Sequence, residues 1–329
     1  INLDADGADI NLRDGGTAMG RLGLENGDLN IASSQQDYDI KFKGNDGGSV
    51  ITALTLDMSA AGAATFNSDV TVTGNLTVAG TTAIIATGSD LTTASAGTDN
   101  VRFGENAGNS IASGGIRNVL IGKNAGTALT TGDSNVAIGW EALKTEDTHA
   151  NSVAIGASAL ATQNAGADSY NVAVGYNAGT AVTTGAANTL IGGLAGDAIT
   201  TGTNNTAVGR DALGANTTAS NNTAVGRDAL KANTTGDTLV AVGLNALATN
   251  TTAANNVAVG VNALYLTTTG SENTAMGKDA LRANTTASNN TAVGKDALTA
   301  NTTGTQNTAV GAFALDANTT ANNNSAFGF

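Results

Sequence analysis

Few residues in this chain have the types and spacing that chemistry uses. The only histidine, His149, ends the run Glu146-Asp147-Thr148-His149, and an imidazole beside two carboxylates is a metal-ligand combination. The same run reads as a solvated acidic loop, the commoner use of such a cluster. Asp4-Ala5-Asp6-Gly7-Ala8-Asp9 imitates the opening of a calcium loop, without the spacing or the terminal Glu of an EF-hand. Asp211, Asp228, Asp279 and Asp296 recur at one position of a repeat; paired acids serve glycoside cleavage, but a polar row along a surface is the simpler account. Gly277-Lys278 and Gly294-Lys295 lack the remainder of a phosphate-binding loop. Trp140 and Tyr176 occupy positions expected to face outward, where an aromatic ring can stack on a sugar, although one scattered aromatic per several rungs is more often incidental. There is no Cys, hence no thiolate nucleophile and no disulfide, and one His in a loop does not make a credible Ser/His/Asp set. The sequence assigns no catalytic, cofactor-binding or metal-binding residue and reads as a protein that binds rather than catalyses.

What must position these residues is a repeat. The run Asn-Thr-Ala-Val-Gly-x-Asp-Ala-Leu-x-Ala-Asn-Thr-Thr recurs with its glycine at Gly104, Gly122, Gly139, Gly156, Gly175, Gly192, Gly209, Gly226, Gly243, Gly260, Gly277, Gly294, Gly311 and Gly328, the last ten at intervals of 17 residues. A fixed period means one structural unit stacked on itself. The residue before each glycine is apolar, and the residue three before it is β-branched in every copy except at Ser325. Two apart, these share one side of an extended strand. Ala stands three after the glycine wherever the copy reaches that far, as at Ala212, Ala229, Ala246, Ala263, Ala280, Ala297 and Ala314, which marks a place with room for one methyl. Leu or Gly always follows, and an Ala-Leu pair offers a small and a large residue that interdigitate. The glycine is expected at a corner that needs a positive φ or a close backbone approach.

Asn stands four before the glycine in all copies except those with Ser152 and Leu239. Stacked one rung apart, these amides would form a ladder, or else they mark simple turns. Runs such as Asn216-Thr217-Thr218 spell glycosylation sequons and read mainly as turn and ladder residues. The position after the glycine varies freely (Glu105, Trp140, Tyr176, Arg210, Lys278) and is expected to face solvent. Seventeen residues are too few for a helical-pair repeat of about 33. They suit a two-strand rung of a β-solenoid, and fourteen rungs at about 4.8 Å would span roughly 65 Å.

The fold expected is therefore all-β: a repetitive β-solenoid or β-roll over 101–329, preceded by a β-rich shaft region over 1–85 and a small, polar transition over 86–100. The first region alternates apolar and polar residues in short runs (Ile10-Asn11-Leu12, Leu29-Asn30-Ile31, Ile40-Lys41-Phe42, Leu54 to Met58, Val70-Thr71-Val72, Leu76-Thr77-Val78) broken by Asp14-Gly15-Gly16, Asn26-Gly27-Asp28, Asn45-Asp46-Gly47-Gly48 and Gly74-Asn75. The Ala-rich interior of the repeat implies a narrow core, which predicts association into a homotrimer. Net charge is −13, with 13 acidic and 4 basic side chains in residues 1–100 against 14 and 10 thereafter, so a nucleic-acid partner is not expected. No run of 18 apolar residues exists to span a membrane, and no signal peptide is visible. Ile1 is not a start residue, and a processed product or fragment is expected.

Two stretches carry a resemblance. Gly15-Gly16-Thr17 through Gly20-Arg21-Leu22, Asp39 through Gly48, Ala53 through Ser59, and Asp69 through Val78 resemble tail-fibre proteins of tailed phages, notably marine ones. The Asn-Thr-Ala-Val-Gly repeats occur in similar fibres, often before a self-cleaving chaperone domain of the endosialidase type; its absence here would fit removal after assembly. Asn151-Ser152-Val153-Ala154-Ile155-Gly156-Ala157-Ser158-Ala159 is also similar to the head repeat of trimeric autotransporter adhesins, in which three chains form a left-handed parallel β-roll, although the period here is longer. The resemblance implies a structural, adhesive tail fibre of a virion, partnered by its own copies and other tail proteins, with a host receptor reached through a tip protein. The alternatives are a bacterial trimeric surface adhesin and an ice-binding solenoid suggested by the Thr rows. The regular rungs leave few loops for specific recognition; the irregular candidates are Ala165 to Asp168 and the acidic loop Thr145 to His149.

Overall fold

The structure, a computed structural model, describes residues 9–25, 28–59, 63–66, 97 and 99–329. Among them there is no helix, and the chain divides into two compact units, Ile1–Ile85 and Ala86–Phe329. The expected runs at Val70–Val72 and Leu76–Val78, the turns at Asn26-Gly27 and Gly74-Asn75, Asp4 to Ala8 and most of the 86–100 transition lie outside the described residues.

The first unit holds two antiparallel three-stranded sheets. One is β1 (Asp9–Asp14), β2 (Thr17–Glu25) and β3 (Asp28–Ser33); the other is β4 (Ile40–Asp46), β5 (Ser49–Asp57) and β6 (Ala63–Phe66). Two of the hairpins close on glycine pairs. Asp14 pairs Thr17 across Gly15-Gly16, and Asp46 pairs Ser49 across Gly47-Gly48, all four glycines having positive φ. That is the turn whose twist suits adjoining strands. These sheets have almost no interior: among the described residues of this unit only Gly20 and Gly23 are buried.

The second unit is a parallel β-solenoid. Fourteen strands of three residues, from β7 (Val101–Phe103) to β20 (Ser325–Phe327), pair in sequence order and in register. Each rung contributes one strand, not the two expected. Its remaining residues form turns that also stack, as shown by Asp228 N–H on the Arg210 carbonyl (3.0 Å), Leu230 N–H on Ala246 (3.0 Å) and Thr234 N–H on Thr251 (2.9 Å). The perimeter is thus hydrogen-bonded from rung to rung outside the strands as well, which satisfies backbone groups that no helix or long strand absorbs.

The glycine after each strand is required twice over. Gly209 has φ +137°, and a Cβ there would lie 2.5 Å from the Gly226 carbonyl oxygen, on backbone that cannot yield.

The side shared by the residues one and three before the glycine is the outer one. The residue between them points in: Ala207, Ala224, Ala241 and their equivalents are fully buried. With the Ala three after the glycine, likewise buried, they build the thin core anticipated. That core closes within one chain, however, so its thinness does not itself demand a partner.

The Leu-or-Gly position hides a conformational rule. It adopts a left-handed backbone in every rung, with φ of 47–53° at Leu143, Leu160, Leu213, Leu230 and the later leucines and 51–59° at Gly108, Gly126, Gly179 and Gly196. A leucine held there costs about 1–2 kcal/mol of backbone strain, retained because its side chain fills the core. The two residue types carry different interiors. Rungs with Leu, up to that of Leu298, have a buried polar residue three positions on (Glu146, Gln163, Asn216, Asn233, Asn250, Thr267, Asn284, Asn301), and Leu315 has the half-buried Asn318; rungs with Gly have Ile111, Leu129, Val182 or Ile199 there. Each choice fills the same space from a different side.

Candidate functional site

The buried amides form the ladder that the sequence left open. Asn205 Nδ2 donates to Asn188 Oδ1 (3.1 Å) and to the Ala219 carbonyl (2.9 Å), while Asn188 Oδ1 also accepts the Asn205 backbone N–H (3.0 Å). The pattern recurs along the solenoid and is interrupted at Ser152 and Leu239. A second ladder runs through the Asn-Thr-Thr residues: Asn233 to Asn216 at 3.1 Å, Asn250 to Asn233 at 2.8 Å, Asn301 to Asn284 at 3.2 Å. The sequon asparagines are therefore interior. The following Thr hydroxyls donate to carbonyls of the next rung, as Thr234 does to Thr251 (2.9 Å) and Thr302 to Thr319 (3.0 Å).

Glu146 is where the sequence reading needs correction. The acidic loop is not wholly solvated: Glu146 is fully buried. It occupies the column that later rungs fill with Asn. Its Oε1 accepts His149 Nδ1 (3.0 Å) and the Asp147 and His149 backbone N–H groups (both 3.2 Å), and its Oε2 accepts Gln163 Nε2 (3.0 Å) and Ala165 N–H (3.4 Å). Gln163 goes on to Ser152 (2.9 Å) and accepts from Asn171 Nδ2 (2.9 Å), joining the two ladders through a polar cross-link. Among the described residues, Glu146, Asp147 and His149 are the group whose ligand atoms lie close enough, within 4.8 Å, to hold a metal ion. Both Glu146 oxygens are already committed to donors, so the carboxylate's evident work is to fasten its loop. The two irregular segments meet here through the Ala165 N–H on Glu146, and just beyond it Asp168 accepts Ala150 N–H (3.0 Å) and Asn151 Nδ2 (3.2 Å). Column membership, seven residues after Gly139, was the available clue to the burial of Glu146.

The recurring aspartates form an ion-paired outer row. Arg210–Asp211 (3.1 Å), Arg227–Asp228 (3.2 Å), Lys278–Asp279 (3.4 Å) and Lys295–Asp296 (3.4 Å) repeat one arrangement, to which Lys231 and Arg282 add further contacts. Gly277-Lys278 and Gly294-Lys295 are corners of these rungs. Asp197 lies beside this row; desolvation pushes its carboxyl above the usual range, and the charge of Asp211 adds to the shift. Trp140 and Tyr176 do face outward, 51% and 62% exposed. In the first unit Leu12, Met19, Ile31, Tyr38 and Ile40 line an open apolar groove of about 340 Å³. No helix among the described residues is long and apolar enough to cross a membrane. No protein-family model, curated protein or solved structure matches this chain.

Proposed function

We propose that this chain is the extended, non-catalytic part of a homotrimeric attachment fibre of the phage-tail type, displayed on a virion outside the cell. The observation that carries this is uncovered apolar sheet surface in both units. In the first, Leu12, Leu29, Ile31, Phe42, Val50 and Phe66 are each at least 44% exposed. Six strands with so little interior do not offset the entropy of ordering them without a partner.

In the solenoid, the residues one and three before the glycine make two columns fourteen rungs long without a charged side chain, from Val101 and Phe103 to Ser325 and Phe327. Most are partly exposed. The column before the glycine is apolar throughout and the other holds Val or Thr as far as Ser325, a surface of the kind that a standard interface of about 800 Å² per partner covers. A copy of the same chain has the same rung spacing, so column meets column without register conflict. Charges are kept to the neighbouring corner. Other tail proteins would join the fibre ends, and a tip protein outside this chain would select the host receptor.

Light scattering after size exclusion should report three times the 32.1 kDa chain mass. Val225→Lys with Val242→Lys should drive it toward smaller species; a folded single-chain parent ends the trimer reading. Antibodies to residues 175–329 should decorate phage tail fibres. Labelling of a bacterial envelope free of phage would favour the adhesin alternative, which uses the same assembly on another surface.

A further inference from the structure

The corner just past the glycine changes character along the solenoid. In four later rungs it carries the ion pairs Arg210–Asp211, Arg227–Asp228, Lys278–Asp279 and Lys295–Asp296. In the four successive rungs of Gly139, Gly156, Gly175 and Gly192, the same position reads Trp140, Ala157, Tyr176 and Gly193. The only Trp of the chain and one of its four Tyr therefore alternate with the two smallest residues. Both rings are more than half exposed, and a Cβ placed on Gly193 would meet nothing within 4 Å.

We propose that this corner is a platform for an extended, neutral, β-linked polysaccharide, with Trp140 and Tyr176 stacking on sugar rings two units apart. The backbone fixes the spacing. Ser158 N–H donates to the Trp140 carbonyl (2.8 Å), Asn177 N–H to Ala157 (3.0 Å) and Leu194 N–H to Tyr176 (2.9 Å), so the corners stack in register. Two rungs place the rings about 10 Å apart, which is the length of two sugars in an extended β-linked chain. Ala157 leaves the intervening sugar room to pass. A pyranose face is lined with C–H groups of partial positive charge, and an aromatic face is negative, so the two attract as well as exclude water. Ser158 and Asn177, the next residues along, are half-buried polar side chains at the same corner and supply partners for hydroxyl groups, while Glu141 beside them is paired with Lys144 (3.1 Å). The cations at this position stand one rung outside the four, and each is paired, Lys123 with Glu105 (2.9 Å) and Arg210 with Asp211 (3.1 Å), which leaves little free charge to recruit an acidic sugar. The inference does not depend on the trimer or on the virion: it concerns a surface one chain completes.

Trp140, being unique, is its own reporter. Titration of the whole chain with cellohexaose and with chitohexaose should change Trp140 emission saturably, while glucose and N-acetylglucosamine at equal ring concentration leave it unmoved. Tyr176→Ala should melt as the parent does and bind the hexasaccharide about tenfold or more weaker, because one of two linked contacts is lost. Tyr38→Ala, in the other unit, should bind as the parent. Emission unmoved by both hexasaccharides overturns the proposal, and so does parent-like affinity in Tyr176→Ala.

Discussion

Asn250 and Thr267 hold the same position in adjacent rungs and do not bond. Asn250 Oδ1 is buried without a hydrogen-bond partner, because the ladder that delivers an amide N–H at this place meets a threonine instead. Thr267 turns its hydroxyl the other way, to the Asn284 carbonyl (3.3 Å). Thr267→Asn should supply the missing donor and raise stability by about 1 kcal/mol, read from thermal or denaturant midpoints. A lower midpoint would show that the threonine methyl packs better than the amide bonds.

The two faces of a rung should respond differently to substitution. Ala229 is fully buried and Arg227 is exposed. Ala229→Leu should overpack its rung and cost about 1–3 kcal/mol. Arg227→Ala should change stability by less than about 0.5 kcal/mol. Equal effects would mean the faces have been misassigned.

Leu213 and Asn216 should be coupled. Leu213→Gly alone opens the core, and Asn216→Val alone crowds Leu213 and removes the oxygen that Asn233 Nδ2 reaches at 3.1 Å. Made together they convert the rung to the Gly-and-aliphatic type of its neighbour, which has Gly196 and Ile199. The double variant should lose less than the sum of the singles by about 1 kcal/mol or more; simple additivity in denaturant melts would refute the two-interior rule.

Asp197 gives a pH signature. Its folded carboxyl titrates above the unfolded range, with desolvation as the first cause. The folded state therefore disfavours the charged form, a penalty present above that range and lost as pH falls below the unfolded value of about 3.9. Asp197→Asn should be more stable than the parent at neutral pH, with the difference vanishing near about pH 3. A gain that persists unchanged in acid would place its cause elsewhere.

The period, the buried Ala column and the outward corner were legible because each is a column of repeated choices, and a solenoid turns columns into rows of contacts. The inward strand residue was less legible. Ala207 and its equivalents stand between two more conspicuous residues, Thr206 and Val208 in this rung, and alternation puts a strand's middle residue opposite its flanks. The left-handed leucines had a visible trace, since Leu213 and Gly196 share a column and glycine is at home at positive φ. Glu146 went unseen as an interior residue because charge type argued for solvent while position argued for the core. How many chains would pack together has no such column to read, since self-association leaves the same pattern as an edge awaiting any partner.

The equality of the rungs makes length a countable quantity. From Gly175 onward every column advances by one strand per 17 residues, so a gene that gains or loses 51 nucleotides in frame there changes reach by about 4.8 Å and disturbs no contact except at the splice. Recombination between near-identical repeats is then a means of adjusting distance. The array already joins unlike interiors, with Gly196 and Ile199 in the rung beside Leu213 and Asn216, so either kind of rung accepts either neighbour. A lineage can lengthen this protein without redesigning it, but only in whole steps.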